Sequence, residues 1–155
     1  MSKKRKFVKI LSLLVVITMV LSLYMATWKT TSITMWKLIG DLGAQGETII
    51  IASEPLIHNT PLVSYILLIG IILILLSGYV KKRKVAYWII VIGAILIIAE
   101  FGILFWDGEI VSFQSKWVIY DDYKLQSNVY PSIGFFILFI GFIIEVYCAI
   151  LITRI

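Results

Sequence analysis

The sequence holds one cysteine, Cys148, and one histidine, His58, among 155 residues. A single cysteine excludes an intrachain disulfide and any CxxC pair for thiol exchange. A single histidine, beside Asn59 and Thr60 rather than inside an apolar helix, excludes the paired ligands of a membrane haem site and leaves no metal-ligand set in view. Charge is also scarce, at 15% of the chain against roughly a quarter in soluble domains. There is no glycine-rich phosphate loop, GxSxG elbow or HExxH pair. Gly40, Gly43 and Gly46 fall in a turn-rich stretch where backbone freedom accounts for them. No cofactor, metal or enzymatic activity is expected.

The chain is instead 61% hydrophobic, with a mean hydropathy of +1.01. Four runs, about 7–28, 62–80, 85–106 and 132–152, lack the polar stripe at a period of 3.6 that a soluble helix would carry. A bilayer core takes about 20 apolar residues at 1.5 Å each, so all four runs are read as membrane spans. The first run has the basic start of a signal peptide, but its apolar stretch is long and Tyr24-Met25-Ala26 is a poor cleavage site. It is therefore read as a retained helix.

Charge sets the expected orientation. Lys3, Lys4, Arg5, Lys6 and Lys9 open the first run, Lys81, Lys82, Arg83 and Lys84 lie between the second and third, and Arg154 follows the fourth. No acidic residue shares that side. Asp41, Glu47, Glu54, Asp107, Glu109, Asp121 and Asp122 all fall in the alternate segments. By the positive-inside rule both termini and the 81–84 hinge are expected in the cytoplasm of a cell-membrane protein. The net charge of +5 then follows from topology, and the basic clusters are expected to meet a bilayer with anionic headgroups rather than nucleic acid.

The tetrapeptide KKRK occurs twice, at 3–6 and 81–84. Aligning the runs that follow each copy adds only Ile17 with Ile95 and Trp28 with Trp106, close to what apolar composition alone produces. Topology explains the repetition, because each inward end attracts Lys and Arg and each outward end attracts aromatic rings. Trp28, Trp106 and Tyr65 are accordingly read as interfacial anchors on the outer side and Trp88 on the inner side.

The segments 29–61 and 107–131 differ from the spans. The first reads as two β-branched strands around GDLGAQG, and the second carries EIVSFQ and KWVIY before Asp121-Asp122. Paired strands are expected within 31–39, 47–52, 109–114 and 116–120. The two segments are expected to pair with each other, because a lone hairpin is marginal in water. Asp107, Glu109, Asp121 and Asp122 are read as acidic turns facing water, with calcium collection the less favoured alternative. The fold class is thus an all-α four-helix transmembrane bundle with a small extracytoplasmic β-rich cap, the whole chain forming one membrane domain. In outline this layout resembles the claudin-like tetraspans. The resemblance covers topology alone: the chain has Trp28 and Met35-Trp36-Lys37-Leu38 but no outer cysteine pair, and no family assignment follows.

Two acids interrupt the spans. Glu100 lies six residues before Trp106, roughly 9 Å inside the outer boundary, at the level of Ser22, whose hydroxyl would suit a neutral Glu100. Glu145 lies nine residues before Arg154, on one helix face with Gly134, Leu138, Gly141 and Cys148. Small residues let helices approach closely in lipid, so Gly134, Gly141 and Cys148 are read as packing positions and the stripe is expected to face protein. An acid there is a proton or ion site, or a structural hydrogen-bonding group within the bundle or against a partner subunit. Rotary-ATPase proteolipids and small multidrug transporters have a similar size but short loops, and they fit poorly. The expected function is a non-enzymatic interaction, assembly or accessory subunit that meets other membrane-protein subunits or copies of itself. The alternative is a small ion- or proton-coupled transporter using Glu145 and Glu100.

Overall fold

The computed structural model describes residues 3–38, 44–109, 111–118 and 123–155. In chain order these form α1 (Lys3–Met25), β1 (Lys29–Leu38), β2 (Ala44–Ala52), α2 (Leu56–Asn59), α3 (Pro61–Ser77), α4 (Arg83–Trp106), β3 (Ser112–Val118), β4 (Tyr123–Pro131) and α5 (Ile133–Arg154). The protein is mostly helical, with three long apolar helices and a small antiparallel sheet.

Local sequence explains the boundaries. α1 runs unbroken because it contains neither Gly nor Pro, and it gives way to β1 where Thr30 and Thr31 begin a β-branched stretch. Pro61 opens α3, a position where its missing N–H costs nothing. α4 stops at Gly108, whose φ of 70° lies in the left-handed region. The Gly108 amide donates to the Phe105 carbonyl at 3.2 Å and the Glu109 amide to Leu104 at 3.0 Å, which closes the helix with a Schellman pair.

α1, α4 and α5 are each long and apolar enough to cross a membrane, with mean hydropathies of 2.3, 2.6 and 2.7. α3 is shorter, at 17 residues. The run expected to continue to Val80 stops being α-helical at Ser77, because the Gly78, Tyr79 and Val80 amides each turn back to a carbonyl three residues earlier. That tight turn reverses the chain into α4.

α1 lies along α5 and α3 along α4, and the two pairs meet through sparser contacts of α3 with α1 and α5 and of α4 with α5. Met19, Leu23, Leu67, Ile71, Ile74, Ile97, Leu104 and Leu138 fill the shared core. The α3–α4 approach is set by two glycines. A Cβ at Gly93 would stand 2.8 Å from the Gly70 carbonyl oxygen, and one at Gly70 would stand 3.0 Å from that of Gly93. Large apolar side chains also cover the outside, among them Phe7, Leu14, Ile69, Ile95, Ile98 and Ile143. Helices that are apolar both inside and outside suggest a membrane protein.

The sheet has the order β2-β1-β4-β3, every pair antiparallel. Residue 34 of β1 stands between Thr48 of β2 and Gln126 of β4. The expected cross-pairing of the two segments is therefore present, but its second half is placed differently. Positions 112–118 make one strand, and the fourth is 123–131, beyond the expected 116–120. Positions 39, 110, 119 and 120 of the expected strands lie outside the described residues, as do Gly40, Gly43, Asp41, Asp121 and Asp122.

Candidate functional site

The stripe on α5 is buried along its length: Gly134, Leu138, Gly141, Glu145 and Cys148 all face the interior. α1 lies against it. A Cβ at Gly141 would stand 2.5 Å from Met19 Cγ, and one at Gly134 would stand 2.8 Å from the Thr27 carbonyl oxygen. The Gly134 amide uses that proximity, donating to the same carbonyl at 2.8 Å. Missing side chains on α5 thus let the Met19 side chain of α1 and the backbone just beyond α1 lie against it, close enough for a short side chain to bridge the two helices. Ser12 Oγ donates to Glu145 Oε1 at 2.7 Å, with both residues almost fully enclosed. Glu145 Oε2 is also buried and has no hydrogen-bond partner among the described residues.

The Ser22–Glu100 pairing is not formed. Ser22 Oγ donates at 2.7 Å to the Met19 carbonyl in its own helix. α1 packs on α5 and α3, whereas Glu100 belongs to α4, where it is buried. Ser12 escaped the sequence reading, although the depth argument that matched Ser22 to Glu100 would have found it: Ser12 lies nine residues from Lys3, as Glu145 does from Arg154.

The aromatic positions divide. Trp106, Trp88 and Tyr65 are exposed, as side chains at a headgroup boundary need to be. Trp28 differs from the anchor expected of it, being 1% exposed. Its ring packs edge-on against Phe135 at 5.9 Å, and Phe135 also meets Phe101, Phe105 and Phe139. The reason is connectivity: the chain leaves α1 and enters the sheet beside the start of α5, where the Ser132 amide donates to the Trp28 carbonyl at 3.0 Å. The first residue of β1, Lys29, is ion-paired with Glu109 just past α4. His58 is exposed in α2, and among the described residues no three His, Cys, Asp or Glu side chains gather as a metal site.

At the end of the bundle opposite the sheet, the two KKRK segments come together. A cavity of about 130 Å³ is lined by Arg5, Lys81 and Arg83, by Ser77 and Thr153, and by Ile152 and Ile155. Lys3, Lys4, Lys6, Lys82 and Lys84 are exposed or partly so around this end. No known protein family, curated protein or solved structure matches the chain.

Proposed function

We propose that the chain is a four-span protein of a cell membrane, with both termini and the α3–α4 turn in the cytoplasm and the sheet outside. In this reading it acts without enzymatic activity as an interaction or assembly subunit, through the sheet and its helix faces. Charge asymmetry supports the orientation, because the basic residues gather at one end and the acidic segments lie toward the other. α3 counts as the fourth span: its 17 residues cover roughly 26 Å, a few ångströms short of a typical hydrocarbon core, and such a mismatch is absorbed at fractions of a kcal/mol per ångström.

One observation carries the interaction reading. β2 is an edge strand, and its consecutive residues Ile49, Ile50 and Ile51 are 58%, 70% and 51% exposed. Consecutive strand residues point to opposite faces, so the edge is apolar on both sides. Soluble edges are usually blunted by charge or proline, and an unblunted one is a template for another strand. The test is purification from native membranes at low detergent, comparing the native chain with Ile50→Lys. The expected result is a stoichiometric partner, or a second copy, that the native chain retains and the variant loses. A native chain that elutes alone, at the same size as the variant, would remove the reading.

Buried Glu145 Oε2 favours the second reading, a small ion- or proton-coupled transporter in which Glu145 takes and releases a cation and Glu100 contributes at another depth. Flux measured in proteoliposomes separates the two readings.

A further inference from the structure

We infer that the partner of the β2 edge is the β3 edge of a second copy of this chain, so that copies standing side by side in one membrane join their sheets head to tail. The inference rests on the interaction reading above and names the occupant of that edge.

Strand direction permits the junction. β1 follows α1 and β3 follows α4, whereas β2 leads back to α2 and α3 and β4 leads back to α5, so direction alternates across the order β2-β1-β4-β3. The two edge strands therefore run opposite to each other. A neighbour in the same orientation that sets its β2 beside β3 continues the alternation, and the junction is an antiparallel pair like the three within the sheet. A single bilayer gives both copies the same orientation and the same height, so the rows of the two sheets meet level.

The level rows match. Ser32 of β1 is opposed by Ile50 on one side and by Asn128 on the other, and Asn128 is opposed in turn by Phe113. Carried across the junction, that row sets Phe113 of one copy opposite Ile50 of the next. Both are largely exposed in the single chain, at 68% and 70%, and an aromatic ring against a β-branched side chain is a favourable cross-strand pair. Three rows on, Met35 is opposed by Glu47, and through Leu125 the same row reaches position 116, a lysine. Glu47 is the one charged residue of β2 and Lys116 the one charged residue of β3. The junction thus brings opposite charges to directly opposed positions, whereas β2 against β2, or β3 against β3, joins edges of a single sign. The edges complement each other and not themselves, which selects a head-to-tail contact. Each added copy leaves one edge of each kind free, so the association repeats.

Disulfide trapping in native membranes tests this, with Ile50→Cys and Phe113→Cys together in a Cys148→Ser chain oxidised by copper phenanthroline. Opposed Cα atoms of an antiparallel pair stand about 4.5–5.5 Å apart, within disulfide reach. Within one chain the same two positions are separated by the full width of the sheet, roughly 14 Å, and cannot be bridged. The expected result is a ladder of dimers, trimers and longer species from the double-cysteine chain, and monomer when either cysteine is present alone. Glu47→Lys and Lys116→Glu should each weaken the ladder about threefold or more, and the two in one chain should restore it, which separates a lost junction from a lost fold. Absence of the 50–113 disulfide, equal trapping of the Ile50→Cys chain with itself, or charge reversals that change nothing or that fail to rescue each other would overturn the inference. The interaction reading stands or falls separately. With no 50–113 disulfide, a protein of another sequence that the native chain retains and Ile50→Lys loses would keep that reading and give the edge a different partner, whereas a native chain that elutes alone would remove both.

Discussion

Glu145 and Ser12 show how little polar chemistry the interior contains and how closely it is placed. One hydroxyl reaches one carboxyl oxygen across the α1–α5 contact, because Gly141 lets Met19 lie where a side chain would otherwise stand. Interhelical hydrogen bonds in lipid are worth about 0.6–1.7 kcal/mol in double-mutant cycles, so Ser12→Ala should destabilise the folded protein by about that amount in a steric-trapping measurement. Glu145→Gln keeps a group able to accept the Ser12 proton, and it should preserve assembly and stability. A Gln variant that assembles normally but abolishes an ion flux carried by the native protein would replace the structural role with a coupling one. The burial of Glu145 and of its stripe could be read from spacing alone. The partner could not, since several hydroxyls occupy α1 and only the packing of α1 on α5 selects Ser12. Trp28 has the opposite lesson. Its place at the end of an apolar run is that of a surface anchor, and the fold buries it because β1 turns in beside α5.

Helices and strands differed in how openly the sequence announced them. Unbroken apolar runs give α4 and α5 to within two residues and α1 to within four at its start and three at its end, because each helix satisfies its own backbone and needs no neighbour to define it. β1 and β2 were legible through Ile and Thr. β4 was not: Lys124, Gln126, Ser127, Asn128 and Pro131 give it the composition of a loop, and it is a strand because β1 and β3 pair with it on both sides. Neighbour backbones outweigh propensity at such a central position, and Pro131 is tolerated at the strand's end. The Gly70–Gly93 contact was also overlooked, although a glycine in the middle of each of two apolar runs was the available signal. That contact separates two outwardly similar substitutions. Gly93→Leu forces α3 and α4 apart and should cost on the order of 1–3 kcal/mol. A Cβ at Gly102, on the same helix, meets nothing within 4 Å, so Gly102→Ala should be neutral or stabilising through helix propensity. Thermal unfolding in detergent of both variants checks the pair, and equal losses would mean that the helices do not approach at Gly93.

The arrangement of the chain bears on whether its two halves are copies. Apart from the short α2 in the first, each half runs helix, two strands, helix and carries KKRK at its start, and the close helix pairs α1–α5 and α4–α3 exchange correctly if the halves are exchanged. The strands do not follow. Exchange would carry β1 onto β3, yet β1 is central and β3 lies at an edge. Shared topology therefore accounts for the repeated tetrapeptide better than duplication does, because any chain that brings its basic ends to one side of a bilayer collects such clusters there. The fold adds a constraint that charge counting lacks: the start of α1, the α3–α4 turn and the end of α5 line one cavity, so the proposed topology has to keep all three on the same side. Single cysteines at Lys82 and at Ile50, in a Cys148→Ser background that changes one buried thiol by a single atom, test both points. An impermeant maleimide should label position 50 in intact cells and position 82 only after permeabilisation. Labelling of 82 alone from outside would invert the protein and place the basic cavity on the outer face. Labelling of both from outside would mean that α3 does not cross, which would leave the sheet and the basic end on the same side and overturn the four-span reading.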